Sequence, residues 1–156
     1  MDNFENKEAI SGCKSKSRSR SRSRSRKSSL CSRFARILGA EILQSEPNLC
    51  VVTFNRNINA EILGRRTHSP LALAALFSFE GKDCQRKTLN LGETVILQEE
   101  INPFISVLRK NCILVTALHN HWLFESPRLM YVHFESIDEP LDFARKVAEA
   151  LRVLRR

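Results

Sequence analysis

Apolar residues recur at helical spacing in three parts of the chain. The first predicts a helix over residues 32–44 that ends before Pro47. The second begins at Asn102 as the capping residue with Pro103 at the first helical position, where a missing N–H costs nothing. The third opens at residues 138–140. Its predicted buried face consists of Leu141, Ala144, Val147, Ala148, Leu151 and Leu154.

The segments between these helices have the apolar, β-branched character of strands. Residues 71–80 are apolar enough for a buried strand, although their alanines leave a helix open. Gly92 interrupts another strand and predicts a bulge there. Strands are predicted over residues 50–55, 58–63, 71–80, 88–97, 112–119 and 129–135. This order predicts an α+β fold, with about three helices packed on one face of a mainly antiparallel sheet.

Composition divides the chain into a tail, residues 1–30, and a single domain, residues 31–156. The tail contains nine Lys and Arg against three acids, so most of the net charge of +8 lies there. Residues 14–29 alternate Ser with Lys or Arg and contain no apolar side chain. A segment that cannot bury apolar surface does not offset its ordering entropy, so the tail is predicted to be disordered.

A basic tail predicts contacts with polyanions. Each Lys or Arg that neutralises a phosphate releases a counterion, which gives non-specific affinity for nucleic acid or other acidic partners. The alternative is a solvated extension without a partner. The sequence does not show whether the serines are phosphorylated. Phosphorylation would weaken such contacts, because it adds negative charge to the tail.

The cysteines and the hydropathy predict a cytoplasmic protein. The five cysteines are odd in number and show no C-x-x-C spacing, which favours a reducing compartment. Cys50 and Cys112 lie in apolar runs, where a free cysteine behaves as a small hydrophobic residue. Because no segment approaches the ~20 apolar residues that span a bilayer, no membrane partner is expected.

Titratable side chains concentrate in one strand–loop–strand segment, residues 118–134. It contains three of the four histidines, the only Trp and the only Tyr. Strict alternation in the first strand places His119 on the same face as Val115, and His121 joins them if the chain stays extended. Pairing of the two strands would bring one of these rings opposite His133.

Three imidazoles beside a carboxylate predict a site for a divalent metal such as zinc, with His119, His121 and His133 as ligands. Glu125 is the candidate ligand or general base. Arg128 would hold an anionic group or orient Glu125, since arginine pairs well with carboxylates. In the alternative interpretation the histidines and aromatic residues only stabilise the fold, and Arg128 only forms a structural ion pair with Glu125. Nucleotide-binding, hydrolase-elbow and H-E-x-x-H motifs are missing from the sequence.

The run VTALHNHWLFESPRLMYVHF, with LGETVILQEEINPFISVLRKN before it, resembles the LppY/LpqO family, a bacterial domain of unknown function numbered 1259. The resemblance covers about 120 residues and, more weakly, FARILGAEIL and VVTFNR. Longer members carry the unit twice, so the resemblance implies that two copies of this chain form a homodimer. The family implies no activity. Its signature matches Glu100, Asn102, Pro103, His119, Asn120, His121, Glu125, Pro127, Arg128 and His133.

Two functions therefore remain open at the level of sequence. The first is a metal- or small-ligand-binding domain centred on the His-x-His…His cluster. The second is a non-enzymatic structural or interaction protein, such as a coat or assembly component, whose tail binds acidic partners or nucleic acid. The sequence does not decide whether the protein is an enzyme.

Overall fold

The computed structural model describes residues 29–154, which form four α-helices, one short 3₁₀ turn and nine strands. The helices are α1 (Leu30–Leu38), α2 (Pro70–Leu73), α3 (Ile101–Lys110) and α4 (Pro140–Leu151), with the 3₁₀ turn at Gln98–Glu100. The strands are β1 (Glu41–Glu46), β2 (Leu49–Asn55), β3 (Ala60–Ile62), β4 (Arg65–Thr67), β5 (Ala74–Glu80), β6 (Thr88–Leu97), β7 (Leu114–His119), β8 (Glu125–Ser126) and β9 (Leu129–Asp138). The predictions for residues 1–28 lie outside the described residues.

The strands form two antiparallel sheets. The larger has the order β1-β2-β5-β6-β9-β7, and the smaller has the order β4-β3-β8. Every pair of neighbouring strands is antiparallel. The predicted α+β class, a mainly antiparallel sheet with helices packed on it, is therefore confirmed.

Helices α1, α3 and α4 cover one face of the six-stranded sheet, here called the helical face. Phe34 of α1, Phe104 of α3 and Phe143 of α4 are fully buried there, against Phe77 and Phe134 of the sheet. Of the predicted α4 face, Leu141, Ala144, Val147 and Leu154 are buried, and Ala148 and Leu151 partly so. Burial of aromatic side chains supplies much of the driving force for folding.

Gly92 of β6 makes room for one of these rings. It pairs with Phe134 of β9, and a Cβ built on Gly92 would lie 2.2 Å from Phe134 Cε2. The pairing of β6 with both neighbours runs without a shift past this residue. The predicted bulge at Gly92 is therefore wrong, and the glycine serves a close approach instead.

Several predicted boundaries differ from the structure, and three of them do so for a clear local reason. Helix α1 ends at Leu38 because Gly39 takes a left-handed conformation with φ 65°, and the chain continues as β1. Asn102 is not a cap, because the 3₁₀ turn precedes α3 and Glu100 occupies the capping position. The segment predicted as one strand over residues 71–80 begins as the short helix α2, which Ser69 caps.

A disulfide joins Cys31 of α1 to Cys50 of β2. The prediction of Cys50 as a free hydrophobic thiol is wrong, because packing of α1 on β2 brings together two cysteines that lie 19 residues apart. Cys112 is exposed rather than buried in an apolar run, and Cys84 is exposed as well. The odd cysteine count and the lack of C-x-x-C spacing, on which the expected reducing compartment was based, did not reveal this bond.

The opposite face of the six-stranded sheet, here called the open face, is only partly covered. Helix α2 and the small sheet cover one end, where Val95, Leu129 and Tyr131 form a second apolar cluster. Beyond this cluster lies a groove of about 360 Å³ that Leu76, Leu91, Glu93, Thr116 and His133 help to line. Within the described residues, no helix has the length and apolar character needed to cross a membrane.

Candidate metal centre

A bulge in β7 decides which face of the sheet carries His119. Val115 pairs with Phe134 on the helical face, but the next pair is Ala117 with His133, so Thr116 is an extra residue. An extra residue reverses the alternation that follows it. His119 therefore pairs with Tyr131 and lies on the open face. The prediction that His119 shares a face with Val115 is wrong.

The loop after β7 brings His121 back over the same surface. Asn120 Nδ2 donates to the carbonyl oxygen of Trp122 over 2.8 Å, which closes a tight turn around His121. The His121 ring stacks on the Tyr131 ring with centroids 3.6 Å apart and planes 5° apart. Tyr131 is itself fixed, because its hydroxyl accepts from Trp122 Nε1 and donates to the carbonyl oxygen of Ala72.

The three predicted histidines converge. His119 Nε2 lies 3.0 Å from His133 Nε2, and the His121 and His119 ring centroids are 4.9 Å apart. One ligand atom from each of the three rings lies within 4.8 Å of the other two. The predicted pairing of the two histidine-bearing strands is therefore confirmed.

The spacing of His119 and His133 is close to that of two ligands in a transition-metal site, and His121 lies near enough to complete the set. Zinc binds imidazole nitrogen at about 2.0 to 2.1 Å in a tetrahedral arrangement, which places two ligand atoms about 3.3 Å apart. The 3.0 Å separation of the two Nε2 atoms is close to that value. Neutral nitrogen donors suit zinc, copper, iron and nickel rather than magnesium or calcium.

The outer nitrogens of two rings face hydrogen-bond acceptors. His119 Nδ1 lies 3.4 Å from the carbonyl oxygen of Asn120, and His133 Nδ1 lies 3.6 Å from Glu93 Oε2. A proton on each Nδ1 would leave both Nε2 lone pairs directed at the shared space. In metalloproteins, acceptors of this kind orient the ring and fix its tautomer.

The electrostatic environment favours the neutral form of His121. Burial of the ring lowers its pKa below the ordinary value, and the neighbouring rings of His119 and His133 lower this pKa further. Glu93 opposes them and raises the pKa. Because only a neutral imidazole can bind a metal, the net shift extends the pH range in which His121 is a competent ligand.

Glu93 is a site residue that the sequence analysis missed. It lies on β6 directly opposite His133 of β9. Its position in the sequence, 40 residues from His133, gives no sign of this proximity, because the β6–β9 pairing is long-range. Only the sheet order, with β9 inserted between β6 and β7, could have revealed it.

Glu125 and Arg128 lie in the loop that follows His121. The Glu125 side chain is 0% exposed, and Arg128 Nε lies 3.3 Å from its Oε1. Within residues 29–154, neither carboxylate oxygen of Glu125 has a hydrogen-bond partner. The predicted pairing of Arg128 with Glu125 is confirmed. Glu125 does not belong to the group of ligand atoms within 4.8 Å of one another, which consists of the three histidines.

The other polar residues of the family signature have structural positions. Glu100 is buried and forms a two-pronged ion pair with Arg56, with N–O distances of 2.7 and 2.9 Å. It also accepts from the Leu97 N–H, which caps the 3₁₀ turn that precedes α3. Asn102 and Pro103 are exposed in the first turn of that helix.

Comparison with protein families matches residues 32–153 to the family described as Domain of Unknown Function (DUF1259). The chain belongs to this family. The match spans α1 to the end of α4, so the elements that build the histidine cluster all lie within the DUF1259 domain. The resemblance to the domain of unknown function numbered 1259 is thereby confirmed.

Comparisons with curated proteins and with solved structures found no match.

Proposed function

We propose that this DUF1259 domain binds a divalent transition metal, of which zinc is the leading candidate, through His119, His121 and His133. The convergence of one ligand atom from each ring within 4.8 Å carries the proposal. The rings come from β7, the following loop and β9, so the site depends on long-range folding rather than on one local motif. The strand pairing holds His119 and His133 near ligand spacing before an ion arrives, which lowers the cost of binding.

Three histidine ligands leave one position of a tetrahedral ion free for water or a ligand. When bound, a zinc ion with this ligand set polarises a coordinated group and lowers the pKa of coordinated water. The groove on the open face, beside His133, offers a path to that position. Its aliphatic residues Leu76 and Leu91 would contact a small ligand.

We further propose that Glu93 and Glu125 support the metal centre in different ways. Glu93, 3.6 Å from His133 Nδ1, orients that ring. Glu125 is the candidate general base, and the ion pair with Arg128 favours an orienting role for Arg128 over anion binding. A buried carboxylate without a hydrogen-bond partner is costly, so a ligand, a proton or a water that satisfies it would stabilise the folded protein.

The test is metal binding by the full chain, measured by calorimetry and elemental analysis. We expect one zinc ion per chain in the wild type and none in a His119→Ala/His121→Ala variant that retains its circular dichroism spectrum. His68→Ala is the matched control, because His68 is an exposed histidine outside the cluster.

Cobalt spectroscopy separates histidine ligands from thiols. Every free thiol of the full chain, including the exposed Cys84 and Cys112, should be alkylated before the titration. Zinc or cobalt binding that the histidine substitutions leave unchanged, or a folded wild type that binds neither ion, would contradict the proposal.

A further inference from the structure

Three large apolar side chains protrude together beside the small sheet. Leu63 at the β3–β4 turn is 74% exposed, and Leu123 and Phe124 in the loop before β8 are 73% and 70% exposed. The Leu63 N–H donates to the carbonyl oxygen of Phe124 over 3.0 Å, so the turn and the loop are tied together. These three residues are called the apolar tip.

Leucine is an unfavourable residue for the backbone conformation at position 63. Ile62 pairs with Arg65, so Leu63 and Gly64 form a two-residue hairpin turn, with φ values of 54° and 71°. Turns with positive φ at both central residues prefer Asn-Gly or Asp-Gly. A leucine in the left-handed region costs about 1 to 2 kcal/mol, and here its side chain gains no burial in return.

A residue that weakens its own turn and exposes apolar surface suggests a contact outside the molecule. Contiguous apolar surface on a soluble domain marks interaction sites more often than chance. Single exposed leucines need no such explanation, but Leu63 and Phe124 are neighbours across two tied loops.

The charges around the apolar tip identify the kind of partner. Arg65 and Arg66 directly follow the Leu63–Gly64 turn and are exposed. Among the described residues, Arg65 and Arg66 form no ion pair, and Arg128 pairs with the buried Glu125. The one exposed acid close by in this hairpin is Glu61, opposite Arg66. Two arginines against one glutamate leave this hairpin with a net positive charge beside the apolar tip.

We propose that the apolar tip inserts into the surface of an anionic lipid bilayer, with Arg65 and Arg66 contacting the lipid phosphates. Apolar side chains flanked by cationic ones suit the boundary between headgroups and acyl chains. Each arginine near an anionic membrane surface adds a favourable contribution. A stable protein–protein interface needs about 20 to 30 residues on each side, far more than three protruding side chains provide.

This contact is peripheral and requires no spanning segment. The membrane contact does not depend on metal binding. The apolar tip and the metal centre are nevertheless adjacent, because Leu123, Phe124 and His121 lie in the same loop. A bilayer at the apolar tip would place the metal centre close to the lipid surface.

The experiment measures binding of the full chain to vesicles of phosphatidylcholine with and without about one-third phosphatidylglycerol. Trp122, the only tryptophan, is the neighbour of Leu123 and reports on the tip. Brominated acyl chains quench tryptophan fluorescence only when the ring is close to the hydrocarbon. Adsorption through the basic residues 1–30 alone would leave Trp122 unquenched, and high salt weakens that adsorption.

Leu63→Asn provides the decisive variant, because it should raise or maintain the melting temperature while it weakens binding. Loss of most of one leucine side chain from the bilayer corresponds to roughly a tenfold lower partition coefficient. Phe124→Ser should have a similar effect. Leu43→Asn is the matched control, because Leu43 is 60% exposed on β1 at the far edge of the larger sheet.

Quenching of Trp122 by anionic vesicles that Leu63→Asn weakens and Leu43→Asn preserves would support the proposal. Equal vesicle binding by wild type and Leu63→Asn, without quenching, would overturn it in favour of adsorption through the basic tail. A tip substitution that changes the sedimentation coefficient but not vesicle binding would also overturn it, because the apolar tip would then be a contact between two copies of the chain.

Discussion

The two faces of the six-stranded sheet are built from alternating residues of the same strands, yet their surroundings differ sharply. On β9, Val132 and Phe134 are buried under three helices on the helical face. Their neighbours Tyr131 and His133 point to the open face, where Tyr131 supports a ring stack and His133 reaches solvent. One strand therefore serves the core and the candidate metal centre at once.

This difference shows how a small domain can separate stability from chemistry. Substitutions on the helical face should act on folding, because its side chains are fully buried. Substitutions on the open face should act on ligand binding, because its polar side chains contribute little to burial. The period of two along a strand makes the separation possible within a few residues.

The strongest test of the comparison uses two adjacent residues of β9. Phe134→Ala should lower the free energy of unfolding by about 3 to 5 kcal/mol, because it leaves a cavity among buried rings. His133→Ala should cost less than about 1 kcal/mol, as a partly exposed residue, and should abolish metal binding. Urea denaturation of both variants measures the contrast. Equal destabilisation by the two substitutions would show that the faces are not separable.

A second test removes the covalent link on the helical face. Replacing Cys31 and Cys50 by serine should lower the free energy of unfolding by about 3 kcal/mol, the chain-entropy value for a loop of this length. Cys84→Ser and Cys112→Ser should have little effect, because both thiols are exposed and free. Guanidinium denaturation measures the difference. Titration of thiols in unreduced, denatured protein should find two fewer than the five cysteines, and a count of five would contradict the bond.

The open face should respond to pH through His121. Its pKa is lowered in the folded protein by burial and by His119, so the unfolded chain takes up a proton at a higher pH. The unfolded state then binds more protons, and the stability of the metal-free protein should fall as pH drops through about 6.5. Denaturation midpoints between pH 8 and pH 5 measure this slope. His121→Gln should flatten it, and an identical slope in that variant would rule out His121 as its source.

The smallest expected effect concerns the bulge in β7. Deleting Thr116 leaves the pairs Val115–Phe134 and Ala117–His133 consecutive, so His119 keeps its place on the open face. Metal affinity should therefore stay the same, with a change in stability of about 1 kcal/mol or less. Deleting Leu118 instead would turn His119 toward the helical face and abolish binding. Calorimetric titration distinguishes the two deletions, and loss of binding in the Thr116 deletion would contradict this register.

Sequence patterns were sufficient where one periodicity was strong and local. The strand over residues 88–97 was predicted with its observed bounds, and three of the six buried residues of α4 were predicted, namely Leu141, Ala144 and Val147. Prediction failed at β1, where Ile42 continues a helical spacing that Gly39 interrupts. It also failed at Asn102, because the buried Glu100 rather than Asn102 determines the start of α3.

The candidate metal centre could be predicted in its ligands but not in its surroundings. The three histidines stand close together in sequence, so their clustering was visible. Glu93 and the bulge at Thr116 were not visible, because both depend on which strands pair and in which register. The Cys31–Cys50 disulfide was not predicted for the same reason, because the packing of α1 on β2 is long-range.

The fit of Phe134 against Gly92 has a consequence for how this domain can diverge. A side chain at position 92 would overlap the ring at position 134, so neither position can change alone without loss of packing. In other chains of the family, an alanine or larger residue at the position of Gly92 should therefore coincide with a smaller residue opposite it. Such covariation across the β6–β9 pair would record this contact over evolutionary time.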